Sequence, residues 1–441
     1  MNNYKIVLVP DLRFPEFKDC LGWENDTVGN TYDFKVTNSF SRENLNYEKG
    51  LVKNIHYGDI HTKFNTLLDI SKEKELPYIN LNTSIDKIKA ENYCVEGDVI
   101  FADASEDIND IGKSIEIVNL NEQKVLSGLH TLLARKKNGK FISGFGGYLF
   151  KSNHVREQIQ REAQGAKVLG ISASRISNVN IYYPKCPEEQ QKIVSCLSSL
   201  DEVIEAQAQK LEALKEYKKG LMQNLFPQEG ESVPRMRFPE FLKDGGWEEL
   251  LLGDAAKFSS GGTPSKDIAE YWNGDIPWIS ASSMHDLVAE KSELYLTDIA
   301  IRDGASISRK GNILILVRGS MLFKRIPICI TGRDVSYNQD VKSLELKKEI
   351  DNVFFLYLLI SNESKLLESV TSTGIGAGKL ETDGLKKLAL RVPSNKDEQL
   401  AVASCLTNLE VSITSQTEKI EQLILHKKGL MQSLFPKIIK N

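Results

Sequence analysis

At Lys218–Pro227 the chain reads "KKGLMQNLFP", and at Lys427–Pro436, 209 positions later, it reads "KKGLMQSLFP". Other segments echo at the same interval: "EQQKIVSCLSSLDEVI" from Glu189 and "EQLAVASCLTNLEVSI" from Glu398. "RFPEF" begins at Arg13 and again at Arg237, each time followed by a tryptophan, Trp23 and Trp247. These front anchors lie 224 apart, so the first variable segment is about 15 residues longer than the second. A period near two hundred residues is too long for a solenoid and reads as two duplicated domains. The chain divides into a body and a closing helical segment, twice over: 1–184, 185–231, 232–393 and 394–441.

The closing segments show the clearest periodicity. Ile193, Leu197, Leu200, Ile204, Gln207, Leu211, Leu214, Lys218, Leu221 and Leu225 alternate steps of four and three. Val402, Leu406, Leu409, Ile413, Gln416, Ile420, Leu423, Lys427, Leu430 and Leu434 repeat them. A sustained 3.5-residue period is a coiled-coil seam, narrower than the face of a globular helix. Pro187 is expected to precede the first helix, and Pro227 and Pro436 to stop the two. Each helix is about 38 residues, roughly 57 Å at 1.5 Å per residue. Mutual antiparallel pairing is the expectation; separate packing of each helix on its own body is the alternative. Gln207 and Gln416 sit near mid-helix, where a buried polar layer sets register, unless both face water. Lys218 and Lys427 lie where a long stem snorkels outward. Gly220 and Gly429 fall off the seam, facing outward. A mid-helix glycine costs about 1 kcal/mol against alanine. That points to another backbone approaching, or to fraying before the proline.

Composition sets the class. The chain has 441 residues, 41% hydrophobic and 26% charged, the balance of an ordinary globular protein. A net charge of −4 gives no global case for nucleic acid or membrane. Cys20, Cys94, Cys186, Cys196, Cys329 and Cys405 form no CxxC pair, which argues against a zinc site or a disulfide framework. "MNNYKIVLVP" is too short and polar for a signal peptide, and "VFFLYLLI" at Val353–Ile360 is too short to span a bilayer. The expectation is a reduced, cytoplasmic protein.

The bodies read as α+β. "GDVIFADA", "IPWIS" and "GNILILVRG" are strands, "SNHVREQIQREAQ" is a polar helix, and Asn352–Val370 is an apolar one. Charge is local. Arg135–Arg175 holds nine Lys or Arg against two acids, and Arg302–Arg333 seven against one. One basic patch per body suits backbone phosphates, and a solvated face is the alternative.

Sites for chemistry are missing. "GIGAGKL" (Gly374–Leu380) imitates a phosphate loop, but Thr373 stands where the first glycine belongs and Leu380 follows the lysine. "GFGG" at Gly144 lacks a strand–helix context. The histidines are scattered without a metal set, and no GxSxG marks a nucleophile. These absences argue for a chain without its own catalysis, cofactor or metal.

The chain resembles the specificity subunit of type I restriction–modification systems over almost its whole length. The resemblance rests on "PEEQQKI" leading into "LSSLDEVI", its partner "DEQ" with "CLTNLEVSI", and the twin "KKGLMQxLFP" endings. It rests also on "GGTPSKDIAEYWNGDIPWIS" (Gly261–Ser280) and "VSYNQDVKSL" (Val335–Leu344) in the second body. "SFSRENLNY", "IHYGDIH" and "SGLHT" (Ser127–Thr131) resemble another class of recognition domain. The resemblance implies two target recognition domains, related by approximate two-fold symmetry, that read a bipartite double-stranded DNA site. The half-sites differ because the bodies do. It implies as partners two modification subunits that methylate adenine and restriction subunits that translocate and cleave.

Candidate DNA contacts in the first body are Ser41, Arg42, Asn44, His56, Tyr57, His61, Arg135, Lys136, Lys137 and Lys167. In the second they are Thr263, Ser265, Lys266, Trp272, Arg318, Ser320, Lys324, Arg325, Gln339 and Lys379. Each has a structural alternative, and Trp272 and Trp278 are candidates for the core. Gly220 and Gly429 are the candidate contacts for partner subunits. A coiled-coil adaptor that binds only protein is the other reading.

Overall fold

A computed structural model describes residues 9–137, 139–374 and 376–437. The start of the segment read for a leader, one position of "GIGAGKL" and the last four residues of the chain lie outside the described residues. The chain forms two compact units, one from 1–208 with 418–441 and the other from 209–417. Both are mixed α/β.

Each unit contains a five-stranded sheet of the same topology. In the first unit the order is Tyr32–Lys35, Thr131–Lys136, Val99–Ala102, Ser114–Asn119 and Leu67–Asp69. In the second it is Ala256–Ser260, Val341–Leu346, Ile313–Leu316, Ile328–Thr331 and Val288–Ala289. In both sheets neighbours are antiparallel except the last pair, which is parallel. The central strands are buried at every position, the pattern of a strand covered on both faces. A second sheet also recurs: Tyr78–Ile79, Lys53–Ile55 and Val125–Ser127 correspond to Tyr295–Leu296, Trp272–Ile279 and Val335–Tyr337. Its fourth strand differs. Leu45–Asn46 joins one edge in the first unit, and Ile307–Ser308 the other edge in the second. The bodies look unrelated in sequence, yet they keep one framework.

The echoed motifs are the fastenings of that framework. The Arg13 guanidinium donates to both oxygens of Glu189 at 2.8 and 2.6 Å, and Trp23 Nε1 donates to the same carboxylate at 3.1 Å. Arg237 donates to Glu398 at 2.7 and 2.8 Å, and Trp247 Nε1 does so at 3.0 Å. Each arginine also donates to two carbonyls of its own loop, Cys20 and Leu21 or Asp244 and Gly245. Gln190 and Gln399 follow the glutamates. Each amide nitrogen donates to a proline carbonyl at 2.9 Å, and each amide oxygen accepts from a body backbone N–H. The "EQ" pairs and "RFPEF" are therefore one clamp, closed once in each unit.

The long helices run Pro187–Leu225 and Lys396–Leu434, 39 residues each. Pro187 does not precede the first helix but is its first residue, where its fixed φ and missing N–H are harmless. In the first unit Ile193, Val194 and Leu197 share a core with Leu434 and Phe435. In the second Leu221, Leu225 and Phe226 share a core with Val402, Ala403 and Leu406. The seam residues are buried or half-buried along both helices. Gln416 is 6% exposed and Gln207 is half-buried.

The lysines do not snorkel as expected. In the first unit Lys427 Nζ bonds Asp201, lies 5.6 Å from the centre of the Tyr148 ring, and Tyr148 Oη donates to the same aspartate at 2.8 Å. In the second Lys218 Nζ bonds Glu410 and lies 5.9 Å from the Tyr357 ring centre. A facing acid and an aromatic ring hold each ammonium, so it gains nothing by turning to water.

The apolar stretch expected as one helix forms two, Asn352–Ser361 and Glu363–Glu368, parted at Asn362. Phe354–Leu359 are buried all round, so this is a core helix. No helix among the described residues is long and apolar enough to cross a membrane. All six cysteines are free thiols.

Candidate nucleic-acid interface

In both units the chain leaves the central strand by the same route. After Val99–Ala102 it passes Asp103 into Ala104–Ser105, which pairs with Leu169–Gly170. After Ile313–Leu316 it passes Val317 into Arg318–Gly319, which pairs with Gly378–Lys379, and this in turn with Thr371–Ser372. Two backbone bonds repeat at the exit. Asp103 N–H donates to the His130 carbonyl at 3.0 Å, and Ile171 N–H to the Asp103 carbonyl at 2.9 Å. Val317 N–H donates to the Asp340 carbonyl at 2.8 Å, and Leu380 N–H to the Val317 carbonyl at 2.8 Å. The turns of "SGLHT" and "YNQDV", distinct motifs in sequence, thus occupy one place in the framework. Each unit gathers a short ribbon, a glycine-bearing loop and this turn at one end of its sheet.

The basic runs divide about that end. Thr131 faces Ala102 and Ala134 faces Val99, so Arg135, Lys136 and Lys137 lie at the far end of the strand. There Arg135 is engaged within the fold. It donates to both oxygens of Asp98 at 2.9 and 2.7 Å and to the carbonyls of Glu91 and Tyr93. The Asp98 hydrogen bond raises its pKa. Lys137 bonds Asp33 and the Gly29 carbonyl, each at 2.9 Å, and Lys136 lies against Gly97. Lys167 stands in the loop at the near end, exposed. In the second unit Arg309 pairs with Asp334 at 2.6 Å before the central strand, whereas Arg318, Lys324 and Arg325 follow it. Neither run is a single patch, because a strand separates its two ends.

The ribbon end of the second unit is the more open. Arg318 is the Cα partner of Lys379 across the ribbon. Arg318, Ser320, Lys324 and Lys266 are exposed. Among the described residues no side-chain hydrogen bond or ion pair engages Arg318, Lys324, Lys266 or Lys167. Lys379 pairs with Glu381 at 2.6 Å. Arg325 reaches the Met284 carbonyl at 3.4 Å. Thr263 Oγ1 donates to the exposed Gln339 amide oxygen at 2.8 Å, which brings the glycine-rich entry loop onto the turn. Trp278 is buried, and its Nε1 donates to the Gly262 carbonyl at 3.1 Å. Trp272 is half-buried, edge-on to Trp278 at 5.7 Å, with Nε1 on the Ser265 carbonyl. Both indoles pin that loop from beneath.

The first unit builds an aromatic and imidazole cluster instead. The Tyr57 ring lies 4.7 Å from His56, 6.0 Å from His61 and 5.3 Å from His130. His56 is buried and caps the helix Tyr57–Thr62 by accepting from Gly58 N–H at 3.2 Å. Burial, then the Arg42 charge, hold its pKa down. His61 Nε2 bonds the Ala104 carbonyl at 3.0 Å. Arg42 is bidentate to buried Asp59 at 2.9 and 2.8 Å, and that bond raises its pKa. Ser41 and Asn44 bond each other around the same turn. These residues come together, but mostly to hold one another. His130 and Asp103, in contact at 3.1 Å, are not among the sequence candidates, since no periodicity marks them.

The model of the type I restriction modification DNA specificity domain matches residues 50–216 and 244–425, most of the chain. The chain is 30% identical over 185 residues to the specificity subunit of the Escherichia coli type I restriction enzyme EcoR124I/EcoR124II, over 42% of this chain and only 46% of that protein. It is 24% identical over 344 residues to the specificity subunit of the Methanocaldococcus jannaschii type I restriction enzyme MjaVIII, over 73% of this chain and 76% of that one. In fold it is similar to the S subunit of the type I restriction–modification system of M. genitalium, with a TM-score of 0.57 and 15% identity over 98% of this chain and 100% of that one. With two copies of the domain seated on two copies of one framework, the chain belongs to the family of type I restriction–modification DNA specificity subunits.

Proposed function

We propose that this chain is the non-catalytic DNA-reading subunit of a type I restriction–modification complex. Each unit reads one half of a bipartite, asymmetric site, and the two long helices form an antiparallel coiled coil that spaces the readers. Adenine methylation, translocation and cleavage belong to two modification subunits and to restriction subunits that assemble on it in the cytoplasm. One observation carries this reading: the same sheet end in both units presents different exposed polar side chains on one backbone framework. A shared frame with changed contacts is what reading two different half-sites requires. Lysines and Arg318 of the ribbon position the phosphates, and the turn side chains reach base edges.

The spacer role rests on helix length. At 1.5 Å per residue, 39 residues span about 58 Å, somewhat over one and a half DNA turns. Inserting four residues at mid-helix then changes the spacer or abolishes activity. Partner contact is assigned to Gly220 and Gly429, where an added Cβ would meet nothing within 4 Å.

The test is methylome sequencing of a host that expresses the chain with its modification partner. A bipartite motif is expected, and exchange of Gly253–Lys387 should change one half of it. No motif, or a motif untouched by the exchange, overturns the proposal. A protein-only adaptor would show no salt-dependent DNA affinity.

A further inference from the structure

We propose that His130, oriented by Asp103, reads one base of the half-site of the first unit by accepting a hydrogen bond from an exocyclic amino group. This rests on the DNA-reading function proposed above.

The geometry is that of a held tautomer. His130 Nδ1 lies 3.1 Å from Asp103 Oδ1. A carboxylate only accepts, so Nδ1 carries a proton, and whenever the ring is neutral Nε2 is the atom left with a lone pair. The clamp has a second point, because Asp103 N–H donates to the His130 carbonyl at 3.0 Å. Asp103 is itself tied by the Ile171 N–H at 2.9 Å. The edge-to-face contact with Tyr57 at 5.3 Å limits the ring from another side. The side chain is nonetheless 51% exposed, and among the described residues Nε2 has no hydrogen-bond partner.

Backbone conformation adds an independent mark. His130 has φ +53°, a left-handed conformation uncommon outside glycine and taken, among other residues, mainly by Asn, Asp and His. Glycine would relieve it, and glycine already stands two residues earlier at Gly128. An exposed imidazole in the turn, fixed at two points, is placed for contact. The second unit repeats both backbone bonds but has Val317 and Asp340 at these places, so the pair belongs to the first reader alone.

A fixed acceptor selects among bases. In the major groove, adenine N6 and cytosine N4 offer donors, whereas guanine N7 and O6 and thymine O4 offer only lone pairs. Nε2 therefore favours an amino group at its position and is repelled by a carbonyl there. Asp103 is the positioning residue: it sets the tautomer and does not touch the base.

The experiment uses the full chain with its modification partner. Methylome sequencing with His130→Ala is expected to make one position of one half-site degenerate and to leave the other half-site intact, which also shows that the subunit folds and assembles. Duplexes are then made with purine for adenine, or 2-pyrimidinone for cytosine, at that position, removing only the amino group. The wild type should lose about tenfold in binding, and His130→Ala should lose nothing further. Asp103→Ala should relax the same position, and Asp103→Asn, whose amide oxygen still accepts from Nδ1, should retain it. If no position relaxes, or amino removal weakens both proteins equally, the proposal is overturned while the bipartite motif stands. If the wild type shows no bipartite motif, the underlying function fails instead.

Discussion

Arg318 and Lys379 are facing residues on one ribbon, yet their removal should have unequal effects. Arg318 is exposed and has no partner among the described residues, so a phosphate there gains a full new contact. Each such contact contributes about −0.9 to the slope of log K against log salt. Arg318→Ala should therefore flatten the slope by about 0.9. Across a fourfold salt range that contact accounts for about 3.5-fold in affinity. Lys379 starts from an ion pair with Glu381 at 2.6 Å. Binding exchanges a carboxylate for a phosphate and leaves Glu381 near DNA, so Lys379→Ala should change the slope by well under 0.9. Fluorescence anisotropy of a labelled duplex between about 50 and 200 mM KCl measures both. The loss should be alike on cognate and mismatched duplexes, as for a backbone contact. Superimposable salt plots for Arg318→Ala and wild type would refute the reasoning, and so would a loss confined to the cognate duplex.

Glu398→Ala strands the Arg237 guanidinium, only 8% exposed, and the Trp247 N–H; a cost of about 3–5 kcal/mol is expected in urea unfolding of the second unit. Lys151 donates to Thr66 Oγ1 at 2.8 Å beside Lys427; burial, then that like charge, bring its pKa down to about 7. A depressed folded pKa gives stability that is present above the free lysine value and is lost as pH falls towards 7. Lys151→Met should hence outlast the wild type at pH 6 to 7, with the advantage shrinking as pH rises to 9. Trp at both Gly220 and Gly429 should weaken assembly with modification subunits and leave the DNA motif and the melting temperature unchanged, because the positions face open space.

The sequence revealed most where the chain repeats itself. The seam at Ile193–Leu225 was legible because a 3.5-residue period needs no tertiary knowledge, and burial follows it. The sheets were not, since strands as short as Tyr78–Ile79 carry too few residues to show alternation. Counting charge along the chain misled for a simple reason. Arg135 and Lys167 are near in sequence but belong to opposite ends of the sheet, and Arg135 balances Asp98 inside the fold. His130 stayed hidden because its role depends on Asp103, 27 residues away. Glu189 and Glu398 stood out only as members of repeated segments, and their partners show them to be fasteners.

The first unit is closed by residues that follow the second unit in the chain. Leu434 and Phe435 enter its core, the Phe435 ring meets Trp23 at 5.7 Å, and Ser433 accepts from Leu12 N–H at 2.9 Å. During synthesis that core stays open until every residue of the second unit has left the ribosome. A prematurely terminated chain would expose Trp23 and Phe145, an apolar flag for proteases and chaperones. Folding of the first unit therefore waits on residues 418–437, which follow the second unit in the chain: a molecule stopped short of them leaves its first core unclosed.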